Sequence, residues 1–307
     1  MTAAWLAAAS VLLGGARLAA GQDAATVAVR EGIARNIYVT VLDDKGAVPA
    51  DLTPQEVEVK EDGTGRTVLA VGPATTTMQI VLLVDDSGPG INDVRGGVAG
   101  FIRIVQRTAE IAIVSTGKQN TVLVDFTSDP GALINGVSRL TTRTTSGGYQ
   151  LEAIRESANT LMRRAAVRPV IVVLAFEGKE YSSLSPRMVL DDVRRSGALV
   201  HIVSVGKPSM KTMTGWNQRP TDSIHEALDE TLARSTVFAE APRRSGGRLE
   251  QVGQVSGIPN RLATIAYELR DQLMVTYGRA QSAAPAEKIE VSVKRRGMKV
   301  RAPKQGT

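Results

Sequence analysis

The chain has 307 residues, 43% of them apolar, a formal charge of +6 from 37 Lys+Arg against 31 Asp+Glu, and no cysteine. That length and apolar share suffice for one large core, or for a mid-sized domain with a smaller companion, while the lack of cysteine excludes disulfides, thiolate catalysis and cysteine-based zinc sites. With only 4% aromatic residues, the modest basic excess argues against a dedicated nucleic-acid binder, which needs a concentrated basic face and stacking surfaces.

The first 21 residues differ from everything after them. Residues 3–15 are an almost unbroken run of Ala, Leu, Val, Trp and Gly, too short to span a bilayer, which takes about 20 apolar residues. Ala19 and Gly21 supply the small side chains that a signal peptidase pocket reads before Gln22. Arg17 lies on the far side of the apolar run, and no Lys or Arg precedes it. The expectation is a signal peptide over residues 1–21, cleaved after Gly21, and a secreted or periplasmic, envelope-located protein. No later segment is apolar enough over a sufficient length to give the mature chain a membrane span.

Residues 24–74 show period-two patterning. Ile37, Val39 and Val41 alternate with Tyr38 and Thr40, and Val57 and Val59 with Glu58 and Lys60. Asp43-Asp44-Lys45-Gly46 and Glu61-Asp62-Gly63 read as solvated turns. This predicts a small antiparallel, sandwich-like β module. From residue 78 the rhythm becomes strand, helix, strand. Residues 78–84 and 170–176 are continuous apolar runs, as in strands buried on both faces of a parallel sheet. Helical stripes follow at Ile91, Val94, Val98, Phe101, Ile102 and Val105, and at Leu151, Ile154, Ala158 and Leu161. Residues 110–115 and 121–126 read as a hairpin, and Ser185-Pro186 opens a helix that stops at Gly197. A strand over 198–205, a helix over 223–234, a helix over 259–272 and a strand over 273–277 complete an α/β domain spanning 75–280. Residues 281–307 form a C-terminal strand and a basic tail. The predicted fold class is α/β, a doubly wound, mostly parallel open sheet, with its crevice at the carboxyl ends of the strands.

The sharpest local feature is Asp85-Asp86-Ser87-Gly88-Pro89-Gly90, just beyond the first buried strand. Asp85 and Ser87, two apart on such a loop, can both face the crevice. Ser87 lacks the Gly-x-Ser-x-Gly context of a nucleophile elbow. His201 falls in mid-strand as a packed core residue and His225 on a polar helix, so neither is marked as a base. Phosphate-binding glycine loops are missing as well. Gly96, Gly97 and Gly100 sit in a helical pattern, where close packing on the sheet explains them.

The strand with Asp85-x-Ser87 resembles the first motif of the von Willebrand factor A domain, as do Ser146-Gly147-Gly148 before a helix and the stretch 170–178. The flanks, Leu52-Thr53-Pro54-Gln55-Glu56-Val57 and Ile265-Ala266-Tyr267-Glu268-Leu269, are similar to the VWFA-related acidobacterial domain family in the family's order. The resemblance implies a metal site at Asp85, Ser87 and Glu177. It also implies that the site is degenerate, because Pro89 and Tyr149 stand where the family has hydroxyl side chains, and Glu177 where it has Asp. No cofactor, or weakly bound Mg2+, is therefore expected, since magnesium demands near-ideal octahedral geometry.

These readings predict a non-enzymatic binding or adhesion protein. Its protein partner would contact a rim formed by Asp86, Pro89, Thr145, Ser146, Tyr149 and Tyr181. Two alternatives stand beside it. One is a metal-assisted hydrolase using Asp85, Ser87 and Glu177, and the other is a structural envelope protein held to acidic polymers by its charge.

Overall fold

The structure, a computed structural model, describes residues 32–117, 119–142, 147–206, 222–280 and 284–306. The expected signal peptide lies outside the described residues, as do Thr145 and Ser146.

Six strands make the central sheet, in the order β12-β11-β9-β5-β6-β7. They are β5 (Met78–Val84), β6 (Ala109–Ser115), β7 (Thr121–Thr127), β9 (Pro169–Phe176), β11 (Leu199–Val205) and β12 (Leu249–Val252). All neighbours run parallel except β6 and β7, the expected hairpin. Strand order reverses beside β5, which started the sheet and lies between β9 and β6. That reversal opens a crevice at the carboxyl ends of β5 and β9.

Both faces of the sheet are covered, which is why β5 and β9 carry no polar alternation. Ile80, Leu82 and Val84 point to one core together with helices α1 (Ile91–Val105), α2 (Pro130–Ser138) and α6 (Ile258–Arg270). Val81 and Leu83 point to the other, with α3 (Gln150–Arg163), α4 (Pro186–Ser196) and α5 (Asp222–Ser245). Ser185 caps α4 by accepting from the Met188 N–H, and Gly197 ends it at φ 66°. Gly97 serves a helix contact: a Cβ there would lie 3.0 Å from Ile258 and 3.1 Å from Leu262 of α6. The expected packing of all three helix glycines on the sheet is thus corrected: Gly97 packs on α6, and a Cβ at Gly96 or Gly100 would meet nothing within 4 Å.

The small module draws on both ends of the described chain. One sheet has the order β15-β1-β13-β4, from β1 (Gly32–Leu42), β4 (Val68–Pro73), β13 (Leu273–Ala280) and β15 (Lys299–Arg301). A second, ordered β14-β2-β3, contains β2 (Val57–Glu61), β3 (Thr64–Arg66) and β14 (Ile289–Val293). Ile37, Val39, Val41, Val57, Val59, Val275, Tyr277 and Ile289 share one core between them. The sequence reading placed 273–277 with the α/β domain and 289–293 in a separate tail, whereas their hydrogen bonds go to β1, β4 and β2. Local patterning shows that a strand exists but not which strand it meets.

Glu61 also departs from expectation. It is 2% exposed rather than a solvated turn residue. Its carboxylate faces Arg66 at 3.0 Å and Arg279 at 3.3 Å, and accepts from the Tyr277 hydroxyl at 2.8 Å. The basic tail is partly neutralised within the fold, since Arg295 pairs with Asp51 and Glu56, and Arg301 with Glu268.

The modules are joined twice, over residues 74–77 between β4 and β5 and over residues 271–272 between α6 and β13. Arg168, 2% exposed, donates there to the carbonyls of Ala74 and Thr76 at 3.2 Å. Its other terminal nitrogen donates to the Leu269 carbonyl at 2.6 Å and to Gln272 Oε1 at 2.9 Å. Among the described residues no helix is long and apolar enough to cross a membrane.

Candidate functional site

The crevice begins where β5 stops. Asp85 N–H still donates to the Leu174 carbonyl at 2.8 Å, so Asp85 is locked to the sheet edge before the loop departs. Its side chain is 6% exposed and fully engaged. Oδ1 accepts from the Ser87 N–H at 2.9 Å and the Ser87 hydroxyl at 2.5 Å, and Oδ2 accepts from the Phe176 N–H at 3.0 Å. Asp85 and Ser87 are thus bonded to one another, and the hydrogen bond closes the loop on itself. Pro89 is exposed. Asp86 is corrected: at 1% exposure it lies under the surface, not on the rim. A position on the loop after a strand does not by itself make a side chain exposed.

Opposite stands the loop after β9. Glu177 is exposed and follows Phe176, the residue that Asp85 grips. Two very short parallel strands, β8 (Gly147–Gly148) and β10 (Lys179–Glu180), then tie this loop to the start of α3. Gly147 makes that approach possible, because a Cβ there would meet the Lys179 carbonyl oxygen at 2.2 Å. The Tyr181 N–H donates to the Gly148 carbonyl at 3.0 Å. One result is that Tyr149 and Tyr181 come together with ring centroids 5.8 Å apart and planes tilted by 50°. They remain 39% and 42% exposed.

Glu180 was not singled out in the sequence. It is 1% exposed, and Oε1 accepts from the Leu151 N–H at the start of α3 at 3.4 Å. Burial pushes its carboxyl up to about 7, offset in part by the Leu151 N–H and by Arg234. Arg234, on α5, was missed as well. Its guanidinium donates to the carbonyls of Phe176 at 2.5 Å and Gly178 at 2.8 Å, straddling Glu177, and its carbon lies 4.8 Å from the Phe238 ring centroid. Burial lowers its pKa, while the charges of Glu180, Asp85 and Glu177 act in the opposite direction. No local pattern marks either residue; only the fold brings them here.

These residues fit a divalent ion poorly. Three protein donors already occupy the Asp85 carboxylate, leaving it little freedom to serve as an ion ligand. Among the described residues no cluster of three or more His, Cys, Asp and Glu is arranged to hold a metal. His201 is 1% exposed within β11, the packed core position expected of it.

Fold and site together define an open, doubly wound α/β domain with an acidic crevice at its strand ends and an aromatic pair on the rim. Among solved structures the chain is similar to proximal thread matrix protein 1 from the mussel byssus, with a zinc-occupied MIDAS motif. That match has 13% identity and a TM-score of 0.49, over 70% of this chain and 50% of that one, so the chain spans about half the length of the mussel protein. It is also similar to the vWF domain of the type V pili tip protein Mfa5 from Porphyromonas gingivalis. There the identity is 11% and the TM-score 0.45, over 64% of this chain and 96% of that one. A von Willebrand factor type A structure from Catenulispora acidiphila matches at 8% identity and a TM-score of 0.46, over 91% and 74% of the two chains. No family model matches the chain, and no curated protein matches it in sequence.

Proposed function

We propose that the chain is an exported, non-catalytic binding protein with a von Willebrand factor A-like domain, and that a protein partner contacts the crevice rim. The observation that carries this reading is the Tyr149–Tyr181 pair. Two large aromatic side chains stay exposed at the same edge, on loops fixed by β8 and β10. Tyrosines of this kind combine large contact area with little conformational freedom to lose, and they are enriched among residues that dominate binding energy. Pro89 stiffens the neighbouring loop, and Thr145 and Ser146 complete the rim in sequence.

The crevice chemistry supports binding over catalysis. Asp85 holds its own loop, Ser87 donates to Asp85, and neither is poised to activate water. Asp85, Ser87 and Glu177 are read as a degenerate metal site with at most weak Mg2+ affinity. Export rests on the apolar leader and on the small residues before Gln22.

The test uses immobilised full-length mature chain and an envelope extract of the source organism. A discrete protein retained by the unaltered chain, and released when Tyr149 and Tyr181 are both changed to Ala, is the expected result. Equal retention by both forms would overturn the rim reading.

A further inference from the structure

We propose that the seam between the two modules holds a second binding site, for a small monoanion with an apolar body such as a medium-chain carboxylate. The site lies at the amino ends of β9 and β11, opposite the crevice, and does not depend on what the tyrosine rim binds.

The seam contains a cavity of about 230 Å3. Pockets for drug-sized ligands span about 300–1,000 Å3, so its occupant is small. One wall belongs to the α/β domain: Val170 at the start of β9, Leu190 and Val193 on α4, and Ala198 and Leu199 leading into β11. All five are buried, and they offer an apolar surface. Charge in the remaining wall is one-sided. Arg35, Arg168, Arg194 and Arg244 line the cavity, and Glu61 is the one acid among the described lining residues. Glu61 is already matched, by Arg66 at 3.0 Å, Arg279 at 3.3 Å and the Tyr277 hydroxyl at 2.8 Å. Arg244 is matched by Glu240 at 2.8 Å. Arg35, Arg168 and Arg194 have no carboxylate partner among the described residues.

Arg168 carries the inference. Its terminal nitrogens are spent on the carbonyls of Ala74, Thr76 and Leu269 and on Gln272 Oε1. Its Nε–H is buried without an acceptor. Burial pulls its pKa down from 12.5 to about 10, and Tyr38, with its ring centroid 5.0 Å from the guanidinium carbon, opposes the shift. A buried cation without a counter-ion is costly, and an anion in the adjoining cavity relieves that cost. Arg35 continues the row of β1 that buries Ile37 and Val39, and it pairs with Tyr277 of β13. Arg194 lies in the last turn of α4. Both are exposed, so they stand at the mouth while Arg168 lies deeper. One free buried N–H suits a singly charged carboxylate, whereas a phosphate dianion takes more donors than this wall has left. The apolar wall then receives a hydrocarbon body.

The experiment titrates the full-length mature chain with sodium octanoate by calorimetry, and records thermal unfolding with and without it. Octylamine keeps the hydrocarbon chain and reverses the charge, while inorganic phosphate keeps the charge and lacks the chain. Octanoate should bind saturably and raise the melting temperature. Butanoate, four methylenes shorter, should bind at least about tenfold more weakly, and octylamine and phosphate should show no saturable binding. Arg35→Glu with Arg194→Glu should weaken octanoate binding at least about tenfold, because attraction at the mouth becomes repulsion. Without ligand, this variant should melt close to the unaltered protein, since both side chains are exposed.

Should that pair fold poorly, Arg35→Gln with Arg194→Gln removes the charges without reversing them, and octanoate should then bind at least about threefold more weakly. No saturable octanoate binding by the unaltered protein would overturn the proposal. So would octylamine or phosphate binding as tightly as octanoate, or folded arginine variants that keep full octanoate affinity. Partner retention plays no part in these measurements, so the rim reading can fail while this one stands.

Discussion

Arg168 donates a 2.9 Å hydrogen bond to the side chain of Gln272 and, through its other terminal nitrogen, binds the carbonyls of Ala74 and Thr76. One buried guanidinium thus ties the start of β9 to both chain segments that enter the β module. Arg168→Met would strip these half-buried carbonyls, and the buried Leu269 carbonyl and Gln272 side chain, of their donor. A loss of about 3 kcal/mol is expected, in the range for breaking a buried charge-assisted network. Chemical denaturation measures it. A loss below about 0.5 kcal/mol, the size of an ordinary surface change, would show that the clamp carries no weight.

Glu180 and His201 are expected to act oppositely on stability as pH changes. Burial holds the Glu180 carboxyl at about 7, above its ordinary 4.5. Between those values the unfolded chain is ionised while the folded chain keeps its proton, so this group's contribution falls as pH rises through that window. Burial, with smaller effects from Arg301 and Arg248, holds the His201 imidazole down at about 3 against an ordinary 6.5. Below 6.5 the unfolded chain takes up a proton that the folded chain refuses, and stability falls as pH falls. From pH 4.5 to 6.5 the two slopes oppose one another.

Single variants should therefore tilt the profile in opposite directions. Glu180→Gln, which keeps an acceptor for the Leu151 N–H, leaves the His201 slope exposed. Stability relative to the unaltered protein should then rise with pH, by up to about 1.4 kcal/mol per unit. His201→Leu leaves the Glu180 slope, and relative stability should fall with pH over the same interval. Urea unfolding at pH 5, 6 and 7 on both variants gives the comparison, and parallel profiles would contradict it.

His201→Leu should also be no less stable than the unaltered protein at neutral pH. Both ring nitrogens are buried without a hydrogen-bond partner, and the residue is 1% exposed. Removing an unsatisfied polar group in favour of an apolar one of similar size is neutral or stabilising. A loss above about 2 kcal/mol would mean that the imidazole has a role beyond packing.

Much of the fold was legible because its signals are local. β5 and β9 announce themselves as apolar runs long enough for a two-sided sheet, and Ser185-Pro186 with Gly197 brackets α4 as caps should. The nine-residue α2 was passed over, although Asp129 accepting from the Gly131 and Ala132 N–H groups, with Pro130 next to it, is a readable start signal. The four-residue β12 is partly exposed and carries no clear alternation. The tyrosines of the rim were legible as exposed aromatics near the expected crevice. Arg168, Glu180 and Arg234 were not, because an arginine that will bind a carbonyl 94 residues away looks in sequence like any other arginine. Asp86 differs for a related reason: its place on the loop after β5 is local, but its burial at 1% exposure is set by what packs over it.

Tyr149→Ala tests the proposed contact surface at the exposed Tyr149–Tyr181 pair most directly when retention and stability are measured on the same preparation. At 39% exposure Tyr149 contributes little to the core. Its truncation should shift the melting temperature by no more than about 2 °C, while partner retention weakens by about 1 kcal/mol or more. Full retention by the variant would contradict the account, and so would a loss of retention accompanied by the about 3–5 kcal/mol destabilisation expected of a buried aromatic.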